Sequence, residues 1–188
     1  MFMWFLAWWP HAITSLENPL VTDALLAPHG VNLAWTTAIP GPAVALAPVT
    51  LAFGPVVSYN VLMVASPALC ARTAFLLVRH LTRSFWASLA AGYLFGFSTY
   101  ELGHLLGSPN IALVFLIPVA VHLVLRRIDG DISERRFLVY FALTAAGQSL
   151  ISTELTMASV LFGLPGPRPT RPLPRCQPGA WSGTEAAR

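Results

Sequence analysis

Long apolar stretches that contain almost no charged residues constrain this chain more than any other feature. A helix needs about 20 mostly apolar residues to cross the hydrocarbon core of a bilayer. Four stretches approach or exceed that length: residues 56–78, 85–100, 110–125 and 137–162. Only 10% of the 188 residues are charged, so the chain cannot cover a globular surface with polar groups, although it can face lipid. We therefore predict an all-α fold, a polytopic transmembrane helix bundle whose membrane domain of four helices occupies residues 55–163.

Residues 36–54 are also apolar, but Pro40, Pro42 and Pro48 interrupt them. Proline inside a helix removes a backbone hydrogen bond, and too few residues separate Pro42 from Gly54 for a regular spanning helix. The segment is either re-entrant, broken or interfacial, or it crosses the bilayer with irregular backbone. The prolines favour a segment that does not cross.

Arginine accounts for all eleven basic residues, and it is concentrated in two connections, residues 79–83 and 126–136. An excess of basic residues marks cytoplasmic loops. Residues 101–109 contain no arginine and are predicted to face outward, as is the region of Glu154. If residues 36–54 do not cross, then residues 1–35 form an outer loop of interfacial helices. If they do cross, residues 1–35 lie inside.

Acidic and imidazole side chains follow an aromatic start in residues 1–35. Glu17 and Asp23 are candidate catalytic residues, because a carboxylate at an interface can act as a general base or hold a metal. The structural alternative is that they cap short amphipathic helices, with Thr22 or Asp23 as the N-cap before residues 24–26.

Glu101 and His104 stand three residues apart, so they share a face if a helix continues through them. Such a pair can coordinate a divalent cation. The alternative is an ordinary polar helix end. Glu154 follows a long apolar run, where an ionisable group is costly and often functional; if the helix ends early, its carboxylate simply meets water.

Several function classes lack support in the sequence. There is no phosphate-binding loop, dinucleotide fingerprint, nucleophile elbow or zinc-ligand set. The net charge of +3 is scattered, with no basic stripe for nucleic acid. Cys70 and Cys176 match no metal or redox spacing, and no disulfide is expected. The Pro-rich residues 164–188 are predicted to be a disordered tail, either natural or the product of out-of-frame translation.

A set of short motifs gives the chain a family resemblance over residues 1–162. The N-terminal motifs are Trp-Pro-His-Ala at 9–12, Glu-Asn-Pro-Leu at 17–20 and Ala-Pro-His-Gly-Val-Asn-Leu at 27–33; the later ones are Gly-Pro-Val-Val-Ser-Tyr-Asn at 54–60, Phe-Ser-Thr-Tyr at 97–100, Gly-His at 103–104 and Phe-Leu-Ile-Pro at 115–118. In this order they resemble bacterial polytopic membrane proteins related to the GT-C class of glycosyltransferases.

The resemblance implies transfer of a sugar from a polyprenyl-phosphate carrier to an acceptor outside the cytoplasmic membrane. It implies an outer loop with a catalytic acidic residue, and metal assistance in some members. The partners would be membrane lipids and a lipid-linked sugar donor, with no nucleic acid. The residues assigned to these roles, by their position in the chain, are Asp23 and Glu17 for catalysis, His11, His29 and Glu154 for substrate binding, and Glu101 and His104 for a divalent metal ion.

The chain departs from this class at both ends. Members begin with a transmembrane helix followed by an acidic residue, and they continue with later helices. Neither part is present here, so the chain is expected to be a shortened fragment that is inactive alone. The alternative is a non-catalytic membrane protein, a transport subunit or an intramembrane scaffold, which would use the same glycines to pack against a partner helix.

Overall fold

The computed structural model describes residues 1–163, except the side chain of Phe162. This part of the chain is mostly helical, which confirms the all-α class. The helices, in chain order, are α1 (Phe2–Thr14), α2 (Pro40–Ala45), α3 (Ala47–Phe53), α4 (Pro55–Thr82), α5 (Phe85–Gly96), α6 (Thr99–His104), α7 (Pro109–Ala112), α8 (Leu116–Ile128), α9 (Glu134–Ile151) and α10 (Thr153–Gly163). Between α1 and α2, strands β1 (Val21–Thr22) and β2 (Val31–Asn32) form an antiparallel hairpin, and the 3-10 helix Leu33–Trp35 follows it. The expectations for residues 164–188, including Cys176, lie outside the described residues.

The aromatic start of the chain folds into the core. Phe5 and Leu6 are fully buried on α1, and they pack with Leu33 and Ile39 from the segment after the hairpin. The indole Nε1 of Trp9 donates to the carbonyl of Ala38 at 3.1 Å. Because a buried indole needs an acceptor for its N–H, this bond fixes α1 against the start of α2.

The proline-interrupted segment forms two short helices, α2 and α3, with prolines in their first turns. They contain 6 and 7 residues, which gives lengths of about 9 and 10 Å, so neither helix alone reaches across a core about 30 Å thick. Gly54, at φ 88°, ends α3 and turns the chain into α4. The hydroxyls of Thr50 and Ser58 then meet at 2.8 Å, which holds α3 against α4.

Helices α4 and α5 form the most extensive helix pair of the described chain. Gly92 and Gly96 lie one turn apart on the buried face of α5, against the backbone of Pro67 and Ala71 on α4. A Cβ at Gly96 would lie 2.5 Å from the carbonyl oxygen of Pro67. Small residues at this spacing let two helix backbones approach closely.

Three predicted apolar stretches are interrupted. The second ends as a helix at Gly96, and α6 follows after a short turn. The third is divided into α7 and α8 by residues 113–115. The fourth breaks at Ser152, whose hydroxyl accepts from the backbone N–H of Leu155 and caps α10. The break precedes Glu154 by two residues, so the first helix of this stretch ends early, which was one of the two alternatives for Glu154.

Two helical stretches within residues 1–163 are long and apolar enough to cross a membrane, Pro55–Thr82 and Pro109–Ile128. The second comprises α7, the break and α8. In the most apolar 18-residue part of each stretch, the buried share is only 39% for Pro55–Thr82 and 28% for Pro109–Ile128. The core helix of a soluble protein would be mostly buried. Two candidate spans are consistent with a membrane location; crossing by all four predicted helices stays a prediction.

Candidate functional site

The hairpin between α1 and α2 presents two of the predicted site residues in one loop. Strand pairing of Thr22 with Val31 closes the loop of residues 23–30, which carries Asp23 and His29. Both side chains are exposed. Gly30, at φ 68°, lies so close to the Oδ1 atom of Asp23 that a Cβ there would overlap it. The hairpin therefore holds the Asp23 carboxylate over Gly30.

Glu17 and His11 lie at the other end of this region, around the C-terminus of α1. The N–H groups of Leu16 and Glu17 donate to the carbonyls of Ile13 and Ala12, and Leu16 has a left-handed φ of 56°. This is the pattern that ends many helices. His11 is exposed in the last turn. Glu17 thus follows a helix end and its side chain faces solvent.

The capping alternative for the acidic residues is wrong, because no helix begins after either of them. Residues 23–29 form bends and turns, and the hydroxyl of Thr22 accepts from the N–H of Ala24 in a local turn. The exposed carboxylates of Glu17 and Asp23 have no capping role that would explain them.

An apolar cavity of about 280 Å³ adjoins the hairpin. Leu25, Leu26 and Val31 line it from the hairpin, and Phe5 and Leu33 line it from the core. A second apolar cavity, of about 370 Å³, lies where α2, α4, α8 and α9 meet. The first cavity places apolar space beside the loop that carries Asp23.

Glu154 lies in the first turn of α10, where the helix dipole favours a carboxylate. It is exposed, as expected if the preceding helix ends early. Within residues 1–163, no hydrogen bond or ion pair joins it to Asp23, Glu17, His11 or His29, so the predicted substrate residues do not converge through direct contacts.

Glu101 is buried, with only 1% of its surface exposed. Its Oε1 atom accepts a hydrogen bond of 2.6 Å from the Ser66 hydroxyl, and the Cys70 sulfur lies 3.4 Å from the same oxygen. Its Oε2 atom is buried with no hydrogen-bond partner in the described chain. This carboxylate faces the inside of the helix bundle.

His104 shares α6 with Glu101 but is held differently. Its Nδ1 atom lies 2.7 Å from the Tyr100 carbonyl, and its ring packs against the ring of Tyr100. The Tyr100 hydroxyl donates to the carbonyl of Ile111 at 3.2 Å. Partial burial, followed by the nearby charge of Glu101, raises the pKa of Tyr100 above its usual value. Among residues 1–163, no group of three or more His, Cys, Asp and Glu side chains is arranged to hold a metal ion.

The residues that contact Glu101 were not singled out from the sequence. Ser66 and Cys70 are fully buried on α4, and Ser58, Leu62 and Ala74 continue the same line at intervals of four residues. A repeat of small and polar residues along one face of an apolar helix is a signal that could have located this contact.

No protein-family model, no curated protein and no solved structure matches this chain.

Proposed function

We propose that this chain is part of a GT-C-like glycosyltransferase, a multi-pass protein of the bacterial cytoplasmic membrane that moves a sugar from a lipid carrier to an extracytoplasmic acceptor. The observation that supports the proposal is the exposed Asp23 carboxylate in a loop whose Leu25 and Leu26 line an apolar cavity. A lipid-linked donor has the matching chemistry, since a short part of its hydrocarbon chain can contact the apolar cavity and its reacting head group can contact the polar loop.

Asp23 would act as the general base in this reaction. Its carboxylate takes the proton of the acceptor hydroxyl while that oxygen bonds to the anomeric carbon of the sugar. The bond between the sugar and the carrier phosphate breaks, and the electron pair leaves with the phosphate. Glu17 is the second candidate for this role, and His11, His29 and Glu154 are candidates for binding the phosphate or the sugar.

The divalent metal ion predicted at Glu101 and His104 stays a prediction. Two protein ligands are few for such an ion, and the Glu101 carboxylate faces Ser66 and Cys70. No step of the proposed reaction therefore depends on a metal.

The test is sugar transfer in membranes that contain the product of the complete gene. The substrates are a radiolabelled polyprenyl-phosphate sugar and the acceptors of the same membranes. Loss of a general base typically costs about 10²- to 10⁴-fold in rate, so D23N should reduce transfer by that factor. The matched control is D131N, which changes an exposed aspartate in the arginine-rich connection before α9.

Unchanged transfer in D23N would remove Asp23 from the reaction. No transfer by the unaltered protein would favour the second candidate, a non-catalytic transport subunit or intramembrane scaffold. The close backbone contact of Gly92 and Gly96 with α4 supports this candidate, because it is a packing device that membrane helices use without any catalytic role.

A further inference from the structure

Helix α4 carries exposed arginines on the side opposite its packed face. Arg72 and Arg79 stand seven residues apart, which is close to two turns, so they lie on one side of the helix. Both are exposed, whereas Cys70 and Ala74, each about half a turn from Arg72, are buried. Arg83 follows the end of α4 and is also exposed, and its backbone N–H donates to the Arg79 carbonyl at 3.1 Å. The three arginines are thus directed away from the packed interior, and Arg79 and Arg83 are neighbours.

These arginines have no carboxylate partner within residues 1–163. The ion pairs there are His80 with Asp129 and Arg127 with Glu134. The guanidinium carbon of Arg79 lies 6.0 Å from the centre of the Phe85 ring, at the outer limit of a cation–π contact. Such a contact uses the face of the guanidinium group, so its N–H donors still need acceptors.

The position of Arg72 makes the lack of a partner costly. α4 has 28 residues and is about 42 Å long, which is about 12 Å more than the hydrocarbon core of a bilayer. Arg72 stands about 15 Å before the end of α4 at Thr82, and Leu76, one turn after Arg72, is exposed as well. An arginine on an apolar outer face is stable in a membrane when its side chain extends to the interface and binds a polar group there.

Exposed aromatic rings lie beside the arginines at the start of α5. Phe85 and Trp86 are 49% and 76% exposed, and their ring centroids are 5.5 Å apart. Tryptophan is enriched where hydrocarbon meets the headgroups, so Trp86 indicates that the α4–α5 turn lies at that level. Arginines outnumber acidic residues by six to three in residues 79–83 and 126–136. The surface therefore suits a partner that is negatively charged at one end and apolar at the other.

We propose that this surface binds an anionic phospholipid of the cytoplasmic leaflet. Arg79 and Arg83 hold the phosphate through charge-assisted hydrogen bonds. Arg72 donates to the ester oxygens below the phosphate, and an acyl chain lies along the exposed face of α4 beside Leu76. Clusters of basic residues at the cytoplasmic end of spanning helices bind anionic headgroups in this way. The site requires that α4 lies in the membrane, and it does not depend on sugar transfer.

The test is quenching of Trp86 fluorescence by lipids with brominated acyl chains, which act only at short range. The full chain is placed in phosphatidylcholine nanodiscs in which a small share of the lipid is brominated phosphatidylglycerol or, in parallel, brominated phosphatidylcholine. W86F in the same discs identifies the part of the quenching that belongs to Trp86. Each arginine near an anionic headgroup contributes a factor of about five in affinity, so phosphatidylglycerol should be preferred about fivefold or more.

Variants then identify the arginines that hold the lipid. R79Q and R83Q should each lower the preference for phosphatidylglycerol by about fivefold. R72Q should lower it by a smaller factor, because this arginine contacts the ester oxygens that both lipids carry. The matched control is R135Q, which removes an exposed arginine of α9 on the side predicted to be cytoplasmic and should leave the preference nearly unchanged.

Three results would overturn the lipid site. Equal quenching of Trp86 by the two brominated lipids would show that no anionic lipid is held there, and would favour a carboxylate on a partner helix as the acceptor for Arg72. A loss of preference in R135Q as large as that in R79Q would show diffuse attraction to the whole basic side. Relief of the quenching by an excess of glycerol phosphate would point to a soluble phosphate as the ligand. The first and third results need no arginine variant, so misfolding of such a variant cannot produce them.

Discussion

Gly30 shows how the conformation of one residue positions the candidate base. Its left-handed φ of 68° is open to glycine but costs an L-amino acid about 1–2 kcal/mol. The carboxylate of Asp23 also occupies the space where a Cβ would project. The left-handed backbone therefore favours glycine at this position, and the close approach of Asp23 leaves no room for a Cβ.

We expect G30A to destabilise the hairpin by about 1–2 kcal/mol, because alanine would be strained in the left-handed region and would push Asp23 away. Hydrogen exchange of the backbone N–H groups in residues 20–33 measures this effect, and it should become about tenfold faster. G107A is the control, since no atom lies within 4 Å of the added Cβ and its φ is not left-handed. Equal exchange in G30A and the unaltered chain would contradict the described loop.

Tyr100 provides a second prediction at this scale. Because its pKa is raised above the usual 10.0, its hydrogen bond to Ile111 is fully present below that pH and is lost as pH rises through the higher folded value. The difference in near-ultraviolet absorbance between the unaltered chain and Y100F should therefore show a tyrosinate titration above pH 10.0. In E101Q the midpoint of this titration should move to lower pH, because the charge of Glu101, one cause of the raised pKa of Tyr100, is removed. A titration at or below the usual value would contradict the raised pKa of Tyr100.

At the scale of helices, α4 organises the described chain. It contacts α1, α3, α5, α7 and α8, and the small residues on its buried face allow those neighbours to approach closely. The contact with α5 is the tightest, because Gly92 and Gly96 face backbone atoms that cannot move aside as a flexible side chain could. The stability of this pair therefore depends on the absence of side chains at two positions of α5.

We expect G96A to separate α5 from α4 and to destabilise the protein by about 1–3 kcal/mol, the usual cost of overpacking a core. The added Cβ would lie 2.5 Å from the Pro67 carbonyl oxygen and 2.7 Å from the Ala71 nitrogen. Thermal unfolding in detergent, followed by circular dichroism, measures the change. The helical control is G103A, whose Cβ meets no atom within 4 Å; a similar melting temperature for both variants would show that the α4–α5 contact is looser than described.

At the scale of the whole molecule, the functional proposal depends on which side of the membrane the hairpin faces. The arginines before α5 and around the α8–α9 connection predict a cytoplasmic location for both connections. The shortness of α2 and α3 is consistent with a segment that enters and leaves on one side. On that topology, Asp23 lies outside, on the side where the proposed sugar transfer would take place.

We expect Asp23→Cys to react with a membrane-impermeant maleimide in intact cells. The background carries Cys176→Ser, and Cys70 is fully buried. Ser133→Cys, at the start of α9 after the arginine-rich connection, should react only after permeabilisation. Labelling of Asp23→Cys only after permeabilisation would place residues 1–35 inside, which would mean that residues 36–54 cross and that the proposed reaction lacks its site.

The sequence predicted the all-α class, because the spacing of apolar residues and prolines acts locally, but it did not predict the breaks at residues 97–98, 113–115 and 152. Its failures came from contacts between residues that are not close neighbours in the sequence. The N-cap assigned to Thr22 or Asp23 was reasonable for those residue types, but pairing of Val21 and Thr22 with residues 31–32 formed a hairpin there instead. Glu101 was chosen as a candidate site residue, but its partners were not identified, because Ser66 lies 35 residues away.

The sequence by itself determined the mostly helical character of the chain, the interruption of residues 36–54 by prolines, and the long apolar stretches whose composition suits lipid. These properties follow from hydropathy and backbone preferences within short segments. Only the tertiary structure decided that the Glu101 carboxylate faces Ser66 and the broken end of α7, and that the Asp23 loop lies beside an apolar cavity. Such contacts depend on how helices far apart in the chain pack together, which no local pattern of residues specifies.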